Sequence, residues 1–364
     1  MSRIQTKSAV EKIVSYPLGS SAEEIKEKCN LMAVRKTSDN ETVYRCSPEV
    51  KNSISRSMNS IYFYPDGTVS VLKRKLAGFY NIGEDKFIIS NGSEEIIRLL
   101  TRAYISPGDE AIMAQETFPR YETNVLIEGG SAITVPLHNG THNLNAMYAQ
   151  ISKKTKMVFI CNPNNPTGTI VGKTELLQFI EKVPSNVLII LDEAYYEYVQ
   201  SADYLDSISL LEKKPNLIIL RTFSKIYGLA GLRVGYGIMD SEIVNELQKV
   251  KDVFNVNHLA QAAAAAALHD QGFIRECADK NANEMEFVSQ KLKDLHVGFF
   301  PSQTNFIYIF SQYPLAENLI ANGLVVRQMK LEGYLDAFRM TLGTREDNEA
   351  AMNVINKLLN EKAV

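Results

Sequence analysis

The feature that most constrains the fold of this chain is a series of short, continuous apolar runs in its middle. Three of them are rich in β-branched residues: 156–161 (KMVFIC), 187–191 (VLIIL) and 217–220 (LIIL). Runs of this kind predict strands that are buried on both faces, which is the condition of a parallel sheet. Helical patterns lie between such runs, for example at 94–104 and 173–182. The alternation predicts an α/β fold, with a mostly parallel sheet covered by helices on both faces.

The C-terminal part of the chain has a different pattern. After a small-residue helix at 259–268, we expect a charged helix at 272–295, strands at 305–310 and 324–327, and a last helix at 345–362. This pattern predicts a smaller α+β domain, and the polar, irregular segment before Pro48 is expected to pack on it. The expected units are 1–50 (N-terminal arm and part of the small domain), 51–270 (large domain) and 271–364 (C-terminal small domain).

The composition argues against several classes of protein. With 42 acidic and 39 basic side chains and a net charge of −3, the chain lacks the basic field that a nucleic-acid or anionic-membrane partner needs. No apolar run approaches the roughly 18 residues of a membrane span. The N-terminus also lacks the apolar core of a secretory signal. The four cysteines show no paired spacing, so we expect free thiols and a cytoplasmic protein.

A polar cluster follows each of the three apolar runs. The clusters are 162–168 (NPNNPTG), 192–195 (DEAY) and 221–225 (RTFSK), the last with Arg233 shortly after it. In open parallel sheets, ligands bind beyond the carboxyl ends of the strands. We therefore expect an amide, a carboxylate, a phenol, a lysine and an arginine to converge on one crevice.

This set of groups matches the needs of one cofactor. A lysine amine forms a Schiff base with an aldehyde, and a carboxylate keeps a ring nitrogen protonated so that the ring accepts electrons. Hydroxyls, an arginine and a helix N-terminus bind a phosphate, and 90–94 (SNGSE) opens a helix after an apolar run. The residues therefore predict pyridoxal 5′-phosphate. The histidines His258, His269 and His296 are scattered, which gives a metal site little support.

Seven motifs extend over nearly the whole chain: YPDG (64–67), NGSEE (91–95), NPNNPTG (162–168), LDEAYYEY (191–198), RTFSK (221–225), LRVGYG (232–237) and FRMTLGTRE (338–346). In this order the chain resembles the fold-type I pyridoxal-phosphate aminotransferases, and more narrowly the histidinol-phosphate aminotransferase family. The resemblance implies a transaminase of histidine biosynthesis that interconverts L-histidinol phosphate and imidazole acetol phosphate with 2-oxoglutarate and glutamate. It also implies a homodimer with shared active sites.

The resemblance further implies a role for each matching residue. Lys225 would be the Schiff-base lysine and proton shuttle, and Asp192 would pair with the ring nitrogen. Asn165 and Tyr195 would bond the ring hydroxyl, and Tyr195 joins Lys225 and Asp192 as the expected catalytic set. The other implied cofactor contacts are Gly92, Ser93, Thr222, Ser224 and Arg233 for the phosphate, Phe118 for stacking, and Tyr64 for the phosphate in the neighbouring subunit.

The expected substrate contacts are Arg339, which matches the arginine for the acidic end of substrates, and Arg327 and Tyr16, which match positions near the substrate phosphate. The loop at 38–48 departs from the family, since Val43 and Arg45 replace a proline and a glycine. Aromatic amino acids therefore remain an alternative substrate class. A phosphothreonine-type decarboxylase also remains open, because the cofactor contacts do not decide which bond breaks. A non-enzymatic cofactor-binding module is disfavoured by the intact lysine, carboxylate and arginine.

Overall fold

The computed structural model describes residues 4–11, 13–15, 22–29, 31 and 33–361. The strands, in chain order, are β1 (Arg35–Lys36), β2 (Phe87–Ser90), β3 (Glu110–Ala114), β4 (Ser131–Val135), β5 (Thr155–Cys161), β6 (Leu188–Asp192), β7 (Leu217–Thr222), β8 (Gly235–Ile238), β9 (Gly298–Phe300), β10 (Phe306–Ser311), β11 (Leu324–Val325), β12 (Arg327–Met329) and β13 (Asp336–Thr341).

The helices over the same ranges are α1 (Ser8–Glu11), α2 (Ala22–Lys28), α3 (Pro48–Ser57), α4 (Ser70–Tyr80), α5 (Ser93–Tyr104), α6 (Arg120–Ile127), α7 (Leu144–Ala149), α8 (Lys173–Lys182), α9 (Ser241–Val250), α10 (His258–Ala267), α11 (Gln271–Asp294), α12 (Leu315–Ala321) and α13 (Arg345–Glu361). In these ranges, no helix has the length and apolar character that a bilayer crossing requires.

Seven of the described strands form the largest sheet, in the order β2-β8-β7-β6-β5-β3-β4. Among them only β8 runs antiparallel to its neighbours, which are β2 and β7. The three apolar runs of the sequence are β5, β6 and β7, and they lie side by side as parallel strands. The predicted mostly parallel α/β fold is therefore confirmed.

The two faces of this sheet belong to two different apolar clusters. In β5, Val158 and Ile160 pack into one cluster, whereas Met157 and Phe159 pack into the other. Successive side chains of a strand point to opposite faces, so an apolar side chain at every position is needed to bury both. Each fully buried side chain of this size contributes about 1.5–3 kcal/mol relative to exposure. Because both faces of the sheet are packed in this way, the carboxyl ends of the strands are held in place along one edge of the sheet.

Helix α5 shows how the sequence directs one covering helix. Its N-cap is Gly92, whose positive φ of 78° favours a residue without a side chain. Glu95 in the first turn accepts a hydrogen bond from the backbone N–H of Asn91 at 2.6 Å, which caps the helix start. Ile96 and Leu100, four residues apart, are buried on the same side. The helix therefore starts directly at the carboxyl end of β2.

The C-terminal part contains a second sheet, of four described strands in the order β12-β13-β10-β9, with its own apolar cluster. The N-terminal segment contacts the C-terminal part of the chain, because β1 pairs in parallel with β11 in a separate two-stranded sheet. That segment was expected to be irregular, but it contains α1, α2 and β1.

The strand expected at 324–327 was also wrong in one respect: β11 and β12 are separate strands that pair in different sheets. The buried Val326 lies between them. The domain boundaries at 50 and 270 stay a prediction.

Candidate functional site

A cavity of about 260 Å³ lies at the carboxyl ends of β5, β6 and β7. It brings together eleven residues that the sequence singled out: Gly92, Ser93, Phe118, Asn165, Asp192, Tyr195, Thr222, Ser224, Lys225, Arg233 and Arg339. It is also lined by residues that were not assigned a role from the sequence: Asp39 and Asn40 of the loop at 38–48, Glu94 and Ala194 of the motifs NGSEE and DEAY, and Cys161. The expected convergence of polar clusters is thus present in the structure.

The strands place the two central groups of this cavity. Asp192 is the last residue of β6, where its backbone pairs with Cys161 of β5 and Leu220 of β7. Lys225 follows the end of β7 by three residues, in the turn after Thr222. Both side chains line the same cavity because neighbouring parallel strands end at the same edge of the sheet.

The Asp192 carboxyl is buried, with 4% of the residue exposed. Its Oδ2 accepts a hydrogen bond from the Tyr121 hydroxyl at 2.7 Å, and its Oδ1 accepts one from the Ala194 backbone N–H at 3.1 Å. Burial raises the pKa of Asp192 to about 6, although both hydrogen bonds favour the charged form. A cation placed opposite this carboxyl would stabilise its ionised state.

The Lys225 amine has a pKa lowered to about 8. Burial is the main cause, and the positive charges of Arg339 and Arg233 act in the same direction. Its Nζ lies 5.4 Å from the centre of the Tyr195 ring. At pH 7, roughly a tenth of such amines are neutral, and the neutral amine is the nucleophilic form.

Three hydrogen bonds orient the polar groups on the side of the cavity formed by the small sheet. The Tyr195 hydroxyl accepts a hydrogen bond from Asn40 Nδ2 at 2.8 Å. Asn165 Oδ1 accepts one from Arg339 Nη1 at 2.5 Å, and Arg339 Nη2 also donates to the Ser38 carbonyl at 2.6 Å. These contacts join the polar turn after β5 to β13 and to the loop after β1.

At the other end of the cavity, the start of α5 lies close to Arg233 and Ser224, and these groups can bind an anion. A Cβ added to Gly92 would lie 2.7 Å from Arg233 Nη2, so the backbone and the guanidinium approach as closely as glycine allows. Arg233 has a left-handed φ of 58°, and its Nη1 donates to the Ala230 carbonyl at 3.1 Å. Ser93 begins α5, and Ser224 lies beside Arg233 Nη1 at 3.4 Å. Helix N–H groups, hydroxyls and an arginine are the groups that bind phosphate.

A larger cavity, of about 570 Å³, shares Phe118, Asn165 and Arg339 with the first. Arg327 lines it as well. Arg327 and Arg339 are directly opposed partners of the antiparallel strands β12 and β13, so their side chains project from the same face of the sheet. Like charges in this position repel each other, and an anion bound between them would relieve the repulsion. The second cavity therefore suits an acidic ligand.

Two predicted residues are not part of either cavity as described. Tyr64 is 81% exposed, and its ring stacks on Phe254 with 4.7 Å between ring centres. Tyr16 lies outside the described residues, although Val14 and Ser15 line the larger cavity.

Sequence reasoning missed Tyr121 and Asn40, which hold Asp192 and Tyr195. A signal existed for Tyr121, because it follows Phe118 by three residues at the start of α6 and so lies within one helical turn of it. Asn40 lies in the loop at 38–48, which was noted for its departure from the family but not for a contact with Tyr195, 155 residues away.

Comparisons with known proteins give a uniform result. The family model for aminotransferase class I and II matches residues 33–355. A histidinol-phosphate aminotransferase of Geobacillus sp. (strain WCH70) is 41% identical over 362 residues, which is 99% of each chain. The histidinol-phosphate aminotransferase of Bacillus subtilis (strain 168) is 39% identical, over 98% of this chain and 100% of its own.

Solved structures share the fold. The histidinol-phosphate aminotransferase from Sinorhizobium meliloti, solved in complex with pyridoxal-5′-phosphate, has a TM-score of 0.91 at 24% identity, over 99% of both chains. An aspartate aminotransferase from Thermus thermophilus, solved with maleate, has a TM-score of 0.83 at 16% identity, over 98% of this chain and 100% of its own. Since these names differ in substrate, the fold alone does not select one.

Proposed function

Because this chain belongs to the class I and II aminotransferases and, within them, to the histidinol-phosphate aminotransferase family, we propose that it interconverts L-histidinol phosphate and imidazole acetol phosphate. The family predicted from the sequence motifs is confirmed. The amino group would pass to 2-oxoglutarate, in histidine biosynthesis. The observation that carries the proposal is that the Lys225 amine, the Asp192 carboxyl and an anion cradle line one cavity, beside a second cavity with two opposed arginines.

The first cavity fits pyridoxal phosphate by the chemistry of its groups. The residues that would hold the phosphate are Gly92, Ser93, Thr222, Ser224 and Arg233, which surround the cradle that a Cβ at Gly92 would fill. Asp192 would pair with the ring nitrogen, Asn165 and Tyr195 with the ring hydroxyl, and Phe118 with the ring face. When bound, the cofactor supplies an aldehyde carbon for the substrate amine and a ring that withdraws electrons.

The protein's own groups then handle charge and protons. Lys225 Nζ is the base for the proton on the substrate carbon that carries the amine, and its lowered pKa lets it both accept and release a proton near pH 7. The Asp192 carboxylate would stabilise a positive charge on the ring nitrogen of the bound cofactor, and Tyr121 keeps that carboxylate oriented. The Tyr195 hydroxyl would form a hydrogen bond with the ring hydroxyl of the cofactor. Burial raises the pKa of Tyr195, so this group stays protonated.

The second cavity supplies the substrate contacts. A phosphate monoester carries about two negative charges near neutral pH, and the opposed guanidinium groups of Arg327 and Arg339 match them. In the second half of the reaction, the same arginines would bind the carboxylate of the keto acid. Tyr16 is proposed as a further phosphate contact from the family motif alone.

We also propose a homodimer with shared active sites. Tyr62, Phe63 and Tyr64 are all strongly exposed, and Ile61 and Phe254 add to the apolar surface around them. Exposed apolar patches of this kind mark interaction surfaces, and in the proposed dimer Tyr64 reaches the cofactor phosphate of the neighbouring subunit. We further propose that residues 51–270 form the cofactor-binding domain, and that the protein resides in the cytoplasm, where its four cysteines stay free.

A mixing experiment tests the shared sites. Lys225→Ala and Tyr64→Ala variants are expected to be weak or inactive alone. When mixed and allowed to exchange subunits, half of the dimers are mixed and each holds one intact site, so about a quarter of wild-type activity returns. No recovery after proven subunit exchange would contradict the shared-site arrangement.

The substrate is tested by titrating the purified holoenzyme with histidinol phosphate, phenylalanine and tyrosine while the visible spectrum is recorded. The proposal predicts that histidinol phosphate converts the cofactor most efficiently and that glutamate forms when 2-oxoglutarate is added. A higher kcat/KM for phenylalanine would favour the aromatic alternative. Release of carbon dioxide in place of glutamate would favour a decarboxylase.

A further inference from the structure

We propose that Lys330 is a third cation of the substrate-phosphate subsite and makes the site prefer a phosphate monoester to a carboxylate. The sequence motifs do not mark this residue, since it lies between the predicted strand that ends at Arg327 and the motif that contains Arg339. The inference rests on the proposed function, because it specifies how the same site selects its amine substrate.

Lys330 lies close to the two arginines that are proposed to bind the substrate phosphate. It lines the 570 Å³ cavity together with Arg327 and Arg339. It follows the end of β12 directly, and its backbone carbonyl accepts a hydrogen bond from the buried Tyr308 hydroxyl at 3.1 Å. The start of the side chain is therefore anchored to the small sheet, while the four-carbon stem can carry the ammonium group toward a ligand.

The three cations of this cavity differ in exposure. Arg339 is 8% exposed, Arg327 is half-buried and Lys330 is exposed. The two arginines are opposed across β12 and β13, so they form one fixed pair. Lys330 is the most exposed of the three, so its ammonium is the one most accessible to an anion that arrives from solvent.

The formal charge of the larger cavity also favours a phosphate ligand. Among the described residues that line it, the charged side chains are Arg327, Lys330 and Arg339 on one side and the carboxylate of Glu122 on the other, which leaves a formal charge of +2. That value matches a phosphate monoester, with about two negative charges at neutral pH. Without Lys330 the formal charge would be +1, which matches a carboxylate. Lys330 thus accounts for the difference between the two ligand classes.

The choice of lysine also fits a site that takes two substrates in turn. An ammonium on a flexible stem is a strongly hydrated point charge, whereas a guanidinium is a rigid fork. Lys330 can therefore contact the phosphate in one half-reaction. In the other half-reaction, one carboxylate of the keto acid occupies the arginine pair, and the Lys330 side chain can turn back into water. This arrangement adds phosphate affinity without blocking the keto acid.

The test uses the holoenzyme and the variant Lys330→Met, which removes the charge and keeps a stem of similar length. We expect kcat/KM for histidinol phosphate to fall about tenfold, mainly through KM, because one charge-assisted contact is lost. The value for phenylalanine should stay within about twofold, since that substrate has no phosphate. The inhibition constant of inorganic phosphate against phenylalanine should rise by a similar factor of about ten. Lys330→Arg should restore most of both losses.

Lys153→Met is the matched control. Lys153 is an exposed lysine two residues before the start of β5, so it lies at the opposite edge of the large sheet from the site. Its substitution should change none of these constants and should show the same thermal stability as the wild type.

The outcomes separate the two proposals. If Lys330→Met leaves the histidinol phosphate and inorganic phosphate constants within twofold of the wild type, the role of Lys330 is wrong while the proposed function stands. An equal loss for histidinol phosphate and phenylalanine would also overturn it, because it would indicate a general structural effect. If the wild type does not turn over histidinol phosphate, the proposed function fails, and the inorganic phosphate measurement still tests Lys330.

Discussion

The Tyr121 hydroxyl donates a hydrogen bond to Oδ2 of Asp192 across 2.7 Å, at the carboxyl end of β6. The Tyr121 ring is fixed in turn, because it stacks on Phe159 with 4.7 Å between ring centres and 10° between planes. The contact stabilises the ionised carboxylate against the effect of burial, which raises the pKa of Asp192 to about 6. We conclude that Tyr121 is a positioning residue for the proposed ring-nitrogen partner.

Tyr121→Phe keeps the ring that stacks on Phe159 and removes the hydroxyl, which donates to Asp192 and also contacts the Cys161 thiol. Hydrogen bonds to charged groups contribute about 1.5–3 kcal/mol, so the pKa of Asp192 should rise by about one to two units. The acid limb of the kcat profile should therefore move to higher pH, and kcat at pH 7 should fall about tenfold with little change in KM. Tyr148→Phe, at an exposed tyrosine outside both cavities, is the control. An unchanged acid limb in Tyr121→Phe would contradict the role.

Asp192→Asn tests the carboxylate itself. The amide has nearly the same shape but cannot stabilise a positive charge on the ring nitrogen, so the variant should still bind some cofactor through the anion cradle. We expect kcat to fall by roughly a thousandfold, the size of effect seen when a group that stabilises developing charge is lost. Single-turnover kinetics of the amine half-reaction measure this directly. Near-normal rates would contradict the assigned role.

The buried ion pair beside the site should support stability. Arg221 donates to Glu193 Oε2 through Nε at 3.0 Å and Nη2 at 2.7 Å, and both side chains are 1% exposed. Glu193→Gln leaves the guanidinium buried without its counter-charge, which should lower the free energy of unfolding by about 3 kcal/mol. Urea denaturation measures the change. Glu346→Gln, which removes a partner of Arg35 at the surface, should have little or no effect.

The lowered pKa of Lys225 predicts how the cofactor-free protein takes up pyridoxal phosphate. Only the neutral amine reacts, so the uptake rate should rise about tenfold per pH unit up to pH 8 and level off above it. Stopped-flow absorbance of the lysine-linked cofactor follows the rate. Arg339→Gln removes a positive charge that lowers this pKa, so its plateau should begin at higher pH. A wild-type rate that keeps rising to pH 10 would contradict the lowered pKa.

The parts of the structure that were predicted correctly from the sequence are the central strands of the large sheet and the polar residues that follow them. The runs that became β5, β6 and β7 had to be apolar at every position because both faces of the sheet are covered. The polar residues after them therefore stood out, and six of these line the cavity: Asn165, Asp192, Tyr195, Thr222, Ser224 and Lys225. The family assignment followed from these clusters and is confirmed.

The parts that the sequence did not predict depend on contacts between distant segments. Strand β8 (GYGI) resembles a turn, but its Gly235 is required because a Cβ there would lie 2.5 Å from the Ser93 backbone nitrogen. Tyr121 and Asp192 are 71 residues apart. The separation of β11 from β12 likewise depends on which sheet each strand joins, which no local pattern encodes.

The most direct test of the central claim is the visible spectrum and single-turnover rate of Lys225→Ala loaded with pyridoxal phosphate. We expect the variant to bind the cofactor without the lysine-linked absorbance. Its cofactor should still react with the amine of histidinol phosphate, but the amino group should be transferred at least about a thousandfold more slowly than in the wild type. A lysine-linked spectrum or a normal rate of transamination in this variant would contradict the account.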